Sequence, residues 1–315
     1  MPEISYSPEH MQSLRQFFRD TTINAKLKNI IEDFPNYEAI NEFDNNQMAD
    51  LHMLVMKKLI RDIYVGYRIN IIAWSQVTKQ TPIVDPEYIS MHLVSIFTGI
   101  SGTGTAARGL DLSDESEVKS SSRVEQLGKC RRCNSPITSL EQVCGNCGSS
   151  DILRKFDSHW IFSLRTEHEV DALLSCPTIY LVLIDYENIE TRDNIRIRIW
   201  KLDPRDIFVQ KFFRDYYFEE YYRRRFKRGN IPAPCNLHPD KPLTKFLKPS
   251  LLFSTKIDFS TEETDIIIQL INSEGICDIL SRRDISALNR GKFFLKVRDL
   301  GLENEFQNRI RELSS

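Results

Sequence analysis

The chain has 315 residues, 41% hydrophobic and 27% charged, with 42 basic against 44 acidic side chains for a formal net charge of −2. Such a length predicts about two domains, and such a balance excludes a disordered or fibrous chain and leaves any polyanion to be held by local basic patches. No run reaches the ~20 apolar residues of a membrane span, and residues 1–6 lack the basic start and apolar core of a secretory leader, so a cytoplasmic protein away from membranes is expected.

Residues 1–84 read as an α-rich N-terminal region, because Met48, Leu51, Leu54, Val55, Leu59 and Ile60 recur at helical intervals and define an inward face. A further helix follows Pro86, with Ile89, Leu93, Ile96 and Phe97 on one side, and stops near Gly99. Residues 101–109 are small and polar, a loop expected beside the active site that feeds a short hairpin made of 110–112 and 116–119. Its glycine spacing fits neither a P-loop nor a dinucleotide fingerprint. Residues 128–150 form a cysteine-bearing insert. Beyond it, 160–164 and 178–185 read as strands flanking a helix near 167–174, in β-α-β order. Residues 194–202 alternate Ile195, Ile197 and Ile199 with Arg196 and Arg198, which gives a strand with one apolar and one basic face. The domain reading is thus 85–205 for a core carrying the insert and 206–315 for an α-rich C-terminal region, with an irregular proline-rich connection at 232–249.

Four of the seven cysteines form two Cys-x-x-Cys pairs, Cys130/Cys133 and Cys144/Cys147, separated by ten residues. Two such knuckles can meet around one tetrahedral ion, and four thiolates leave no open coordination position, so a structural Zn²⁺ is expected; an iron centre or redox dithiols are the alternatives. Asn134 and Gly148 follow the second cysteine of each pair, where the turn calls for positive φ. Arg131 and Arg132 at one knuckle are candidates for phosphate contact, or else plain solvated surface.

Glu117-Val118-Lys119 is the only acid-x-Lys triplet in the chain. On a strand, Glu117 and Lys119 share a face, and Asp111 can arrive beside Glu117 if 112–116 turn. Two carboxylates could then hold Mg²⁺ and the lysine could orient or help deprotonate an attacking water, an apparatus for phosphodiester hydrolysis. A solvated charged turn is the plainer alternative.

In these residues the sequence resembles the PD-(D/E)xK nuclease superfamily, and within it the type II restriction endonucleases. Asp111 matches the motif aspartate, Glu117 the second acid and Lys119 the lysine, over roughly residues 85–200; Leu110 stands where the motif carries proline, and five residues separate the acids. The resemblance implies an α/β (α+β) fold with a restriction-endonuclease-like mixed β-sheet flanked by helices. It also implies Mg²⁺-dependent hydrolysis of sequence-specific double-stranded DNA by a homodimer, and an additional helical glutamate, for which Glu87 is the nearest candidate.

Between Arg192 and Arg228 twelve Lys/Arg face six Asp/Glu. Arg196, Arg198, Arg223, Arg224, Arg225, Lys227 and Arg228, interleaved with aromatics, are the candidate DNA contacts, against the alternative of a helix with inward aromatics and a solvated basic run. Two other readings compete: a non-catalytic zinc-ribbon regulator that binds DNA or protein, and a ribonuclease resembling the NYN/PIN type through residues 181–188, which a simple hairpin to 195–202 also explains. The six histidines show no ligand spacing.

Overall fold

The computed structural model describes residues 3–104, 111–138, 141–155, 157–259 and 264–314. Position 110 and residues 105–109 of the polar loop lie outside these. The strands are, in chain order, β1 Glu3–Ser5, β2 Glu117–Ser122, β3 Gly128–Cys130, β4 Pro136–Ile137, β5 Ile152–Leu153, β6 Trp160–Phe162, β7 Ile179–Tyr186, β8 Asn194–Leu202, β9 Cys235–Leu237, β10 Ser250–Asp258 and β11 Asp265–Cys277. Six of them form one mixed sheet in the order β1-β11-β10-β8-β7-β2. Its two ends, β1/β11 and β2/β7, pair parallel, and the strands between are antiparallel.

The β7 and β8 pairing follows from composition. Burial on both faces suits the near-continuous apolar run Ile179–Ile184, whereas β8 alternates buried Ile195, Ile197 and Ile199 with half-buried arginines. One face of the sheet packs Val118, Val182, Ile197 and Phe253 against Leu93 and Phe97 of the helix Pro86–Thr98 and against Ile60 and Tyr64. The other buries Leu181, Leu183 and Trp200 under the helix Glu167–Ser175, the long aromatic helix after Ile207 and the C-terminal helices. A mixed sheet flanked by helices is the fold the sequence led one to expect.

Particular elements differ from expectation. The parallel crossover joins β2 to β7 through the helix Glu167–Ser175, while β6 leaves the main sheet to pair with β9. The 206–315 region is α-rich only in part: β10 and β11 cross it and complete the sheet. In β11, Ile266, Ile268 and Leu270 point inward while Asp265, Ile267 and Gln269 are exposed, a period of two. Helices Arg282–Asn289, Lys292–Asp299 and Glu303–Glu312 follow as expected.

The N-terminal region is helical, and its helix Asn45–Leu59 continues through π-type turns at Ile60–Gly66 into Tyr67–Thr78. Met48, Leu51, Val55 and Ile60 are buried, but Leu54 is 46% exposed, because the stripe facing the core is narrower than the apolar pattern. The helix Pro86–Thr98 ends at Gly99, whose φ is 71°; the backbone of Ser13 lies 3.0 Å from where a Cβ would stand, so both conformation and packing demand glycine there.

Candidate active site and zinc centre

Asp111 reaches β2 through a tight turn rather than a hairpin with the lysine strand. Residues 101–103 are the antiparallel partner of 111–113, through Thr103 N–H to Asp111 O at 3.1 Å, Ser113 N–H to Ser101 O at 2.8 Å and a bridge between Gly102 and Leu112. The chain then reverses over 112–116. Asp114 accepts from the Ser116 N–H at 3.0 Å and from its hydroxyl at 2.9 Å, and Glu115 takes a φ of 71°. A turn this short explains why five residues between the acids suffice.

The turn delivers the Asp111 carboxylate to β2, where Oδ2 accepts the Val118 N–H at 2.8 Å. Glu117 and Lys119 project together from the same face of β2 and form an ion pair. They line a cavity of about 340 Å³ with residues 161–164 of the β6 segment and with His168, Glu169, Ala172 and Leu173 of the crossover helix. That helix is seated by a capping box between Thr166 and Glu169, which commits the Glu169 carboxylate to backbone N–H groups. His168 at this cavity had no motif to announce it.

Burial pushes the Asp111 carboxyl above its ordinary range, against the pull of the Val118 N–H and of Lys119. Burial does the same to Glu117; Lys119 opposes it, and the negative charges of Asp111 and Glu87 add to the rise. Glu87 is therefore within electrostatic reach of Glu117, from an exposed place in the first turn of the helix Pro86–Thr98 that packs beside β2. Glu117 pairs with Lys119 and Asp111 feels the same ammonium, so two carboxylates beside one lysine offer the hard oxygen donors a divalent cation takes.

The four clustered cysteines converge. Their sulfurs lie within 4.8 Å of one another, with Cys130 and Cys147 Sγ 3.6 Å apart and Cys133 and Cys144 Sγ 3.5 Å apart. Tetrahedral zinc at ~2.3 Å from each sulfur requires separations of about 3.8 Å, so the cage fits the ion. The two knuckles repeat one geometry: Cys130 N–H donates to Ser135 O and Cys144 N–H to Ser149 O, each at 2.9 Å. Asn134 and Gly148 sit at φ 64° and 68°, the left-handed conformation their residue types foretold. β3, β4 and β5 form the small ribbon sheet that carries these knuckles.

The proposed DNA contacts separate into engaged and exposed groups. Arg196 and Arg198 both pair with the buried carboxylate of Asp185, at 2.9 and 2.7 Å. Asp185 therefore holds two strands together through the β7–β8 hairpin. Arg131 pairs with Asp151 at 3.4 Å, and Arg223 with Glu219 and Glu167. Arg132, Arg224, Arg225, Lys227 and Arg228 are exposed, with Arg225 stacked over Tyr221. A buried ion pair between Arg68 and Glu125, at the root of the cysteine ribbon, joins the N-terminal helices to the end of β2; sequence reasoning missed it, since its members are 57 residues apart.

A family model described as MamI restriction endonuclease matches residues 73–279, more than half of the chain. The chain belongs to the MamI restriction endonuclease family. A curated relative, the type II restriction enzyme MamI of Microbacterium ammoniaphilum, is 26% identical over 155 residues, which is 49% of this chain and 45% of that protein. The match thus spans less than half the length of that relative. No solved structure matches. The segment shared with the MamI family runs from the helix Tyr67–Thr78 to the end of β11 and contains Asp111, Glu117, Lys119 and the whole cysteine ribbon. This is consistent with the wider PD-(D/E)xK superfamily.

Proposed function

We propose that the chain is a type II restriction endonuclease that hydrolyses phosphodiester bonds in double-stranded DNA, with Mg²⁺ as its catalytic cofactor. The observation that carries the reading is that Glu117 and Lys119 pair on one face of β2 and line an open cavity while Asp111 is hydrogen-bonded to the Val118 between them, all within the segment matched by the MamI family. Asp111 and Glu117 would hold the Mg²⁺, with Glu87 adding negative charge; the ion, when bound, supplies neutralisation of phosphate charge. Lys119 Nζ, paired with Glu117, would orient or help deprotonate the attacking water. The Val118 N–H fixes one oxygen of Asp111, so the other would be available to hold the ion.

Cys130, Cys133, Cys144 and Cys147 would hold a Zn²⁺ that keeps the ribbon folded. The exposed Arg224, Arg225, Lys227 and Arg228, with Arg132 on the ribbon, supply the positive charge that a duplex requires and overall composition lacks. The reading includes a homodimer acting on a symmetric sequence, which rests on the PD-(D/E)xK resemblance alone, and a cytoplasmic setting, in keeping with seven unbridged cysteines. No helix among the described residues is long and apolar enough to cross a membrane.

Incubating the purified chain with a phage genome tests this. Discrete fragments with common ends are expected in Mg²⁺ and none in EDTA, with single-stranded RNA left intact. RNA cleavage, or intact DNA across several genomes, would overturn it.

A further inference from the structure

A cavity of about 500 Å³ lies next to the proposed catalytic one and has no part in the chemistry above. Ser163 and Leu164 line both, so a single wall separates them. Aromatic rings dominate its far side: Tyr217, Tyr222 and Phe226, from the helical stretch 207–226, with Ile231 and Asn230 beyond. Tyr222 and Phe226 are stacked, and buried Phe218, outside the cavity lining, continues the stack along the helix, whereas Tyr217 is tilted 45° to Tyr222. Phe218 and Tyr222 lie at 5.7 Å and 11° between planes, and Tyr222 and Phe226 at 6.1 Å and 8°. Phe226 is 65% exposed and Ile231 96% exposed, an unusual cost for apolar groups unless something covers them. One cation, Arg165, lines the cavity, and Arg224, Arg225, Lys227 and Arg228 are exposed on either side of Phe226 in the chain.

An aromatic cavity with an arginine in its lining, sharing a wall with the proposed phosphate-cutting site, has the chemistry of a nucleobase receptor. Base faces stack on aromatic side chains, and the attached backbone needs positive charge. Inside a duplex no base can enter such a slot, so its occupant must have left the helical stack. Resting on the nuclease reading, we propose that the Tyr217/Tyr222/Phe226 cavity takes a nucleobase swung out of the duplex near the scissile phosphate, and that Ser163 and Leu164 set the distance between that base and the cut.

An abasic scan tests the proposal. The sequenced ends of a phage digest define the recognised sequence. Synthetic duplexes of that sequence, each lacking the base opposite one position, are then bound with Ca²⁺ in place of Mg²⁺ to prevent cutting. Removing a partner leaves the swinging base intact and lowers its extrusion cost, so at one position the intact protein is expected to bind about tenfold tighter. In Tyr222→Ala/Phe226→Ala that gain should fall below twofold, and in the milder Phe226→Leu it should shrink in part. Tightening at no position, with the wild type still cutting the genome, would overturn the base receptor alone, as would a gain undiminished in the double variant. A wild type that leaves DNA uncut would instead remove the nuclease reading on which this rests.

Discussion

Asp111 and Val118 are tied by a 2.8 Å hydrogen bond from the Val118 backbone N–H to the Asp111 carboxylate, so the acid that opens the site is clamped to the strand that carries the other two residues. The clamp separates structural from chemical loss. Asp111→Ala leaves a buried N–H unpaired and should lower stability by about 1–3 kcal/mol, whereas Asp111→Asn keeps an acceptor and should stay near wild type. Both should lose cleavage by a hundredfold or more, because the charge is gone. Urea unfolding beside plasmid nicking separates the two effects; an active Asp111→Asn would contradict a role for the carboxylate.

The ribbon makes a separate prediction. Its apolar core among the described residues is small, built on Cys130, Ile137 and Cys144, so metal has to supply much of its folding free energy. One zinc per chain is expected by elemental analysis, and Cys133→Ser or prolonged chelation should lower the melting temperature and expose the ribbon to protease near 141–143. A chelated protein with unchanged melting and unchanged proteolysis would show that the cysteines do not hold a structural ion.

Arg68 and Glu125 are each less than a tenth exposed and pair with one another, Glu125 from a backbone φ of 64°. Arg68 also donates to the Tyr186 hydroxyl at 3.3 Å. Removing either charge strands the other in the core. Glu125→Gln and Arg68→Met should each destabilise the protein by about 3–5 kcal/mol, while the double variant should be less destabilised than the sum. Additive losses in a double-mutant cycle would refute a direct coupling.

A buried histidine sets an acid limit. His52 is fully buried beside Tyr6, whose hydroxyl lies 2.9 Å from Nδ1, and burial lowers its imidazole from the ordinary value to about 3. The unfolded chain therefore takes up a proton below about pH 6.5 that the folded chain refuses, and stability falls as pH falls through that window, by roughly 1.4 kcal/mol per unit from this group. Denaturation between pH 7 and 4 should show that slope, reduced in His52→Leu. An identical slope in the variant would assign the loss to other groups.

Legibility followed the range of the interactions. The cysteine knuckles, the turn positions Asn134 and Gly148, the helix after Pro86 and the β7–β8 hairpin all rest on neighbours close in sequence, and their residues announced them. Glu117 and Lys119 are two apart on a strand, so their shared face followed from the pleat alone. What stayed hidden depends on distant partners. β1 is three residues long and pairs parallel with β11, more than 260 positions away, and no local pattern encodes that. Arg196 and Arg198 read as a basic face because Asp185, which claims both, sits across a hairpin. The alternation of Ile266, Ile268 and Leu270 was legible, but the following helices masked it. The aromatic helix displayed its arginines in sequence; the alignment of its rings into a stack required coordinates.

Plasmid nicking by the wild type, Glu117→Gln and Lys119→Met, each with Mg²⁺ and with EDTA, tests the central claim most directly. Mg²⁺-dependent cutting by the wild type alone is predicted, with both variants at least a hundredfold slower yet still retaining DNA in a gel shift. Either variant cutting at the wild-type rate, or wild-type cutting undiminished in EDTA, would contradict a cation-holding phosphodiesterase site at Asp111, Glu117 and Lys119.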